Sequence, residues 1–288
     1  MAEAGAAPPD EEPQDWRDTV EFKREYLKFT VAIQKHPEDP QSRYDFAVLL
    51  DKQGRRSTAL RELERAVQIA PDRLLYANKY RMLVRQYGHL YFDRSIRFFE
   101  DLAEKYPEST MARLNKALAY VDKMPYPKLG IVHQGILSNK SLQVLDNILE
   151  EDPKCWAAKF VRGMNHLHWP RMLGHAPLAI VDFTELIALQ KTFPAEKQRD
   201  HFAHAYVALG DSYVKNRADG LQENLARARQ VWEAGLTEYP DCPELKERLE
   251  LLTQSGKELV AYVKKRCGLE DPVDTDLAKV WVDMEDKL

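Results

Sequence analysis

The sequence contains little glycine and little cysteine. Only 12 of its 288 residues are glycine, which argues against frequent tight β-turns and against glycine-rich phosphate-binding loops. The three cysteines, Cys155, Cys242 and Cys267, are odd in number and far apart, so neither a disulfide framework nor a Cys-x-x-Cys metal site is predicted. We expect them to be free thiols in a reducing cytoplasm.

Charge and hydropathy exclude further classes of protein. The net charge is −4, so no basic excess is present to neutralise a phosphate backbone, and no nucleic-acid partner is predicted. No run approaches the roughly 18 apolar residues of a membrane span. The acidic, proline-rich start lacks the basic and apolar parts of a signal peptide. This predicts a cytoplasmic protein, with export as the alternative if a leader has been removed.

The motifs of common enzyme classes are missing as well. The sequence has no Walker loop, no Gly-x-Ser-x-Gly elbow, no His-Glu-x-x-His motif and no dinucleotide fingerprint. Carboxylate pairs such as Glu62 with Glu64 are expected on solvated helix faces rather than in a dry pocket. The sequence therefore predicts neither an enzyme nor a cofactor.

A recurring X-Pro step divides the sequence into segments. The six steps are His36-Pro37, Ala70-Pro71, Tyr106-Pro107, Asp152-Pro153, Phe193-Pro194 and Tyr239-Pro240. Successive prolines are 34, 36, 46, 41 and 46 residues apart. Proline disfavours helical geometry in the residue before it and so ends a helix, and it suits the first turn of the next one. The spacing predicts an array of helix pairs with insertions in the later units.

Two segments carry a more specific pattern. In residues 42–71, small residues are expected where two antiparallel helices approach closely; these are Ala47, Gly54, Ala59 and Ala66. Before Pro240, an L-G-x-x-Y signature precedes a small–aromatic–small face, and the residues are Leu209, Gly210, Tyr213, Ala228, Trp232 and Gly235. Both segments resemble tetratricopeptide repeats, and the resemblance covers roughly residues 40–265. It implies an all-α fold, a right-handed α–α superhelix with inserted loops and a C-terminal capping helix.

The predicted organisation has three parts. Residues 1–15 form a disordered acidic tail. Residues 16–265 form the repeat domain, with a leading helix from about Trp16 to Lys35, five helix pairs and the cap. Residues 266–288 form an acidic tail, in which Val280, Trp281 and Met284 have helical spacing and Thr275 or Asp276 could cap the helix. This helix either docks a partner or packs back on the array, and burial of its tryptophan favours packing back.

Three stretches, 122–139, 168–175 and 217–225, are predicted insertions between the two helices of a pair, so they should emerge at one edge. Long loops in a compact array are often functional, whereas surface loops also tolerate insertions without a function.

Two pairs of histidines are candidate metal ligands: His166 with His168, and His201 with His204. Neither pair has Cys, Asp or Glu at metal-binding spacing. No metal site is predicted, and these histidines are expected to be polar groove residues or to bond between helices.

Stacked helix pairs form a groove lined by the first helix of each pair. Aligning the pairs on their small residues predicts that this groove contains Tyr44, Asp45, Arg81, Asn115, Phe160, Met164, His168, His204, Asp211 and Lys215. Aromatic, apolar and charged side chains alternate in this set, which suits a peptide or helix with alternating anchors. Arg81 and Asn115 are expected to be exposed.

The resemblance also limits the kind of partner. Chaperone-binding tetratricopeptide repeats clamp a terminal carboxylate with a Lys/Asn/Asn/Lys/Arg set. In this sequence only Asn115 has a clear counterpart in that set, and Arg81 an approximate one. Asp45 occupies a position at which the clamp has an asparagine. A reader of C-terminal carboxylates is therefore not expected.

The sequence thus predicts a protein-binding scaffold or adaptor that holds a protein or peptide partner in its groove. The alternative is a small-molecule-binding or transport-accessory protein. Its pocket would be formed by the insertions around 122–140 and 164–176, over Met164, His166 and Trp169.

Overall fold

The structure is a computed structural model and describes residues 19–126, 128–194, 197–216, 219–268 and 273–278. These residues form thirteen α-helices and contain no β-strand. The helices are α1 (Val20–Lys35), α2 (Pro40–Lys52), α3 (Arg56–Ile69), α4 (Leu74–Tyr87), α5 (Phe92–Lys105), α6 (Thr110–Lys123), α7 (Ile131–Glu151), α8 (Trp156–His168), α9 (Ala176–Gln190), α10 (Ala203–Lys215), α11 (Leu221–Glu238), α12 (Pro243–Gln254) and α13 (Gly256–Arg266).

Helices that are neighbours in the sequence pack against each other, most extensively α2 with α3, α8 with α9 and α10 with α11. The helix α1 precedes five successive pairs, α2/α3 to α10/α11, and α12 and α13 follow them. This confirms the prediction of an all-α array of helix pairs. Residues 1–15 and the tail helix predicted at 280–284 lie outside the described residues.

The chain divides into two compact units, the first ending at Asn115 and the second beginning at Lys116. In the first unit, Leu50 of α2 and Leu63 of α3 are fully buried, and the Phe46 ring packs against Tyr26 and Phe29 of α1. In the second unit, one apolar cluster extends from α8 to α13 and includes the two fully buried indoles of Trp156 and Trp232. Each unit therefore has a hydrophobic core of its own.

The X-Pro steps make one repeated turn. In five of the six steps the residue before proline follows the last residue of a helix and adopts φ between −126° and −132°. The N–H of this residue donates to the carbonyl four residues before it; the His36 N–H, for example, donates to the Ala32 carbonyl. Its own carbonyl accepts from the N–H three residues after it, as the His36 carbonyl does from the Asp39 N–H. The next helix begins three residues after the proline. The expectation that proline occupies the first helical turn is therefore wrong, because these turns place it in the connection.

Small residues allow the two helices of a pair to approach closely. A Cβ at Gly210 would lie 2.0 Å from Trp232 Nε1, and one at Gly163 would lie 2.9 Å from the Phe183 ring. These distances are too short for any side chain, so the aromatic ring of the second helix fills the space of the missing Cβ. Gly54 differs from the prediction, since it lies in the turn between α2 and α3 with φ 72°.

The first predicted insertion is shorter than expected. Residues 131–139, predicted as loop, form the first turns of the 21-residue helix α7. Gly130, with φ 75°, precedes this helix and supplies a backbone conformation that other residues rarely adopt. The second insertion contains a short 3-10 helix, Arg171–Leu173, and in the third the helix α11 begins at Leu221. Among the described residues, none of the helices is long and apolar enough to cross a bilayer.

Gly210→Ala should lower the free energy of unfolding by about 3 kcal/mol, because its methyl group overlaps the Trp232 indole and overpacking a core costs about 1–3 kcal/mol. Urea unfolding followed by tryptophan fluorescence measures the loss. At Gly135 in α7 an added Cβ meets only a ring atom of Trp169 at 4.0 Å. There the same substitution should raise stability by up to about 1 kcal/mol, since alanine is the better helix former. Equal effects at the two glycines would contradict the close approach.

Candidate peptide-binding face of the second unit

The second unit contains α8, α10 and the end of α6, the first helices of three successive pairs. We call their common surface the first-helix face. Each helix carries a polar residue five positions after the small residue on which the pairs align: Asp122 after Ala117, His168 after Gly163 and Lys215 after Gly210. All three polar side chains are buried. They are buried because the chain at and beyond the end of α13 contacts each of them.

Lys215 and His168 bind main-chain carbonyl groups at the end of α13. The Lys215 ammonium donates to the carbonyl of Cys267 at 2.8 Å and to two carbonyls at the end of α8. Burial lowers the pKa of Lys215, but three acceptors match the three N–H bonds of the ammonium form. His168 Nδ1 lies 3.1 Å from the carbonyl of Gly268, so this nitrogen carries the proton and donates it.

The C-terminal segment, residues 273–278, contacts the third helix of the face. The Thr275 hydroxyl donates to Asp122 Oδ1 at 2.5 Å. Val273, Thr275 and Leu277 are buried, whereas the residues between them are exposed or half-buried. No helix or strand is formed over 273–276. Over residues 273–276 this alternation is the pattern of an extended chain lying on a surface. The chain turns at Leu277, and the Ala278 N–H donates to Asp276 Oδ1 at 3.1 Å.

A buried ion pair joins α10 to the cap. Arg248 in α12 donates to Asp211 through Nε at 3.3 Å and Nη2 at 3.1 Å, and both side chains are almost fully buried. Burial alone would lower the pKa of Arg248, but the Asp211 carboxylate outweighs it and the pKa is raised. The thiol of Cys267 also points at Asp211, with Sγ 3.8 Å from Oδ2. This pair therefore fixes α12 and the end of α13 against the first-helix face.

The insertions meet at one edge of the second unit. Trp169 Nε1 donates to Ser138 Oγ at 2.6 Å, which joins the second insertion to the first. Arg171 donates to the carbonyls of Lys215 and Asn216 at 3.0 and 3.2 Å, which joins the second insertion to the end of α10, directly before the third. These contacts support the expectation of a common edge.

A cavity of about 1060 Å³ opens at this edge. It is lined by Gly130, Ile131, Gln134, His168, Pro170, Arg171, Met172, Val214, Lys215, Val260, Lys264, Lys265, Cys267 and Gly268. The small-molecule alternative placed a pocket over Met164, His166 and Trp169, and these three residues are not among the lining. The walls come instead from the loop after Trp169, the start of α7 and the end of α13.

His166 and His175 form a pair beside the second insertion. Their Nδ1 atoms are 3.0 Å apart, and the Trp169 ring stacks on His175 with centroids 4.3 Å apart. One Nδ1 must accept while the other donates, so at least one ring is neutral. Burial, with the neighbouring His175 and Arg162, lowers the pKa of His166 to about 4. Burial also lowers the pKa of His175.

In the second unit, three of the six predicted groove residues, His168, Asp211 and Lys215, contact the end of α13. Phe160 instead packs in the core, stacked on Trp156 at 4.9 Å. Met164 packs against the same core, and His204 is half-buried beside His201, with ring centroids 4.6 Å apart. Whether any of the six contacts a partner stays a prediction.

In the first unit, Arg81 and Asn115 are fully buried, so the expectation that they are exposed is wrong. Arg81 lies in α4, which packs between α3 and α5, and the Asn115 amide donates to the carbonyl of Met111 at 2.9 Å. Tyr44 is half-buried against Tyr76, with ring centroids 5.5 Å apart, and burial raises its pKa. Asp45, also half-buried, accepts from Gln41 at 2.9 Å.

Sequence reasoning missed the contacts of Asp122, Arg248 and Thr275, although it favoured a tail that packs back on the array and named Thr275 as a possible helix cap. Asp122 could have been predicted, because it occupies the same position in its helix pair as His168 and Lys215 do in theirs. Arg248 and Thr275 gave no local signal, since their partners are 37 and 153 residues away in the chain. Within the described residues, no group of three or more His, Cys, Asp or Glu is arranged to hold a metal ion.

Comparisons with known proteins agree with the helix-pair architecture. No protein-family model and no curated protein matches the sequence. Among solved structures, the chain is similar to a thermophilic TPR protein of Thermus thermophilus, with 18% identity and a TM-score of 0.52, over 75% of this chain and 100% of that one. The fold is of the tetratricopeptide-repeat type.

Two other structures of tetratricopeptide-repeat proteins show weaker likeness. One is from Parabacteroides merdae, with 17% identity and a TM-score of 0.46, over 81% of this chain and 78% of that one. The other is YrrB, described as a TPR protein with an unusual peptide-binding site, with 17% identity and a TM-score of 0.39, over 77% of this chain and 98% of that one. The fold predicted from the repeat pattern is thus confirmed by the first of the three structures.

Asp211→Ala should lower the free energy of unfolding by about 3 kcal/mol, because it leaves the buried Arg248 without its main counter-charge. The matched control is Glu223→Ala, which removes one partner of the half-exposed Arg227 and should cost at most about 1 kcal/mol. Urea unfolding at neutral pH measures both. Similar losses for the two variants would mean that the Asp211–Arg248 pair is not a special support of the cap.

The free energy of unfolding should fall as the pH drops from about 6.5, the ordinary pKa of histidine, towards about 4, the pKa of His166 in the fold. In this window the unfolded chain binds the proton that the folded chain refuses, so acid favours unfolding. Urea midpoints at several pH values measure the slope. His166→Gln should flatten it, whereas substitution of the exposed His133 by Gln should not. If the slope is unchanged in His166→Gln, His166 is not the group that makes the free energy of unfolding depend on pH in this window.

Proposed function

We propose that the chain is a protein-binding scaffold and that the first-helix face of the second unit binds an extended segment of a partner protein. The observation that supports this most directly is the C-terminal segment, which lies on the face with every second side chain buried. A surface that accommodates one extended segment in this way offers the same pockets and polar groups to another.

The contacts of the C-terminal segment also indicate what a partner would carry. Asp122 accepts a hydroxyl, and the buried side chains on either side of Thr275 are Val273 and Leu277. The complementary partner has a serine or threonine with an apolar residue two positions before it and another two positions after it. Lys215 and His168 donate to the carbonyls of Cys267 and Gly268, which come before the C-terminal segment. These two residues therefore hold the end of α13, and Asp122 is the polar residue of the face that a partner segment would contact.

The repeat architecture supports the same proposal. When helix pairs stack, the first helix of each pair contributes to one common surface. Repeat proteins generally use such surfaces to bind extended ligands. The ion pair of Asp211 with Arg248 and the close approach of Gly210 to Trp232 hold α10 in place. A face that does not have to rearrange loses less free energy on binding.

The test is binding of a labelled synthetic peptide with the sequence of residues 269–282. Leu277→Asp in the full chain places a charge where a side chain is buried and should release the C-terminal segment from the face. The peptide should then bind to this variant and not to the unaltered chain, as measured by fluorescence anisotropy. Adding Asp122→Ala should weaken binding about tenfold, because a hydrogen bond to a charged group contributes about 1.5–3 kcal/mol.

The control is Leu178→Asp, the same substitution at a half-exposed leucine of α9. Circular dichroism should show that both variants keep the helical fold. The proposal fails if the peptide binds equally well to the unaltered chain, to Leu178→Asp and to Leu277→Asp, since binding would then lie elsewhere. It also fails if a peptide with valine in place of the threonine binds as well as the original.

A further inference from the structure

The cavity at the insertion edge does not include Thr275 or Asp122. The charged side chains that line it are cationic. Four of its lining residues are cationic: Arg171, Lys215, Lys264 and Lys265. None of the described lining residues is acidic. The chain as a whole carries a net charge of −4, so this concentration of positive charge is local. Such a concave surface focuses a positive potential and attracts anions.

Two of the four cations are fixed in place by the fold. Arg171 donates to the carbonyls of Lys215 and Asn216, and the Lys215 ammonium donates to three carbonyls. Main-chain carbonyls orient these side chains but do not cancel their net charge. Lys264 and Lys265, by contrast, are exposed at the end of α13. Exposed lysines, with their long flexible side chains, let a site that also contains fixed cations adapt to carboxylates at different positions.

The cavity also has an apolar side. Val214 and Val260 line its wall, and two large apolar side chains on its rim are mainly exposed: Ile131, with 65% of its surface accessible, and Met172, with 78%. Leu173, next to Met172, is 53% exposed. Exposed apolar side chains that border a cationic cavity are typical of a surface that a partner covers. Methionine in particular adapts its shape to different partners.

We infer that this cavity binds an acidic segment of a partner protein, with carboxylates facing Arg171, Lys264 and Lys265 and a large apolar side chain between Ile131 and Met172. The size of the cavity favours a segment over a single anion. About 1060 Å³ is at the upper end of the range for drug-sized ligands, and a free carboxylate or phosphate would leave most of it unfilled. The cavity shares His168 and Lys215 with the first-helix face, but Lys264 and Lys265, which the experiment alters, have no part in the contact of Asp122 with Thr275.

The probe is a labelled peptide of alternating glutamate and leucine, and its binding to the full chain is measured by fluorescence anisotropy at low and at physiological salt. We expect binding that weakens as salt rises, because charge screening reduces the attraction. Lys264→Glu with Lys265→Glu should weaken binding at least tenfold. The matched control is Lys246→Glu with Lys257→Glu, which makes the same change of net charge at two exposed lysines outside the cavity. This control should change affinity less than twofold.

Met172→Ser should weaken the peptide about fivefold, whereas Leu178→Ser, at a half-exposed leucine outside the cavity, should have no effect. The inference is overturned if the two charge-reversal pairs weaken binding equally, since the attraction would then be to overall charge. It is overturned if citrate displaces the peptide at equal concentration, because the site would then be one for small anions. It is also overturned if Glu270→Gln with Asp271→Asn raises peptide affinity tenfold, because the chain's own acidic residues would then be the occupant.

Discussion

In the last helix pair, α10 and α11 approach so closely that any side chain at Gly210 would overlap the indole of Trp232. Most of the second unit depends on this contact. It fixes α10, which carries Asp211 and Lys215, and these two residues hold α12 and the end of α13. Gly163 and Phe183 repeat the arrangement in the preceding pair, which carries His168. The pairing of a missing Cβ with a large ring therefore sets where the polar side chains of the first-helix face lie.

The three polar residues of that face occupy equivalent positions and use different chemistry. A cation and an imidazole bind main-chain carbonyls, and a carboxylate binds a side-chain hydroxyl. The contacts follow the chain from α10 through α8 to α6, against the order of the repeats. A repeat array provides a row of equivalent backbone positions. The residue type at each position determines whether a main-chain or a side-chain group of the bound segment is contacted there. Sequence-independent and sequence-specific contacts can thus stand side by side.

The helices and their pairing were predictable because their signals are local. Each proline ends a helix close to it, and Gly210 and Trp232 are only 22 residues apart. Burial of the first-helix face was not predictable in this way. Lys215 and His168 look like solvent-facing groove residues until the chain near residue 268 is placed on them, and Arg81 is covered by helices on both sides. The start of α7 was missed because its glycine, serine and histidine residues are weak helix formers, and because the preceding turn depends on Gly130 in a left-handed conformation.

The C-terminal segment is tied to the first-helix face by only the four residues that separate Gly268 from Val273. A ligand on so short a tether behaves as if it were present at a roughly millimolar concentration, whatever the concentration of the protein. Dilution cannot remove it, and a free peptide with the same contacts occupies the face only when it exceeds that concentration. Occupancy by another chain is therefore governed by a threshold. For the proposed function, a partner would have to bind much more tightly than the segment does, contact a second surface at the same time, or bind after the chain between Gly268 and Val273 has been cut.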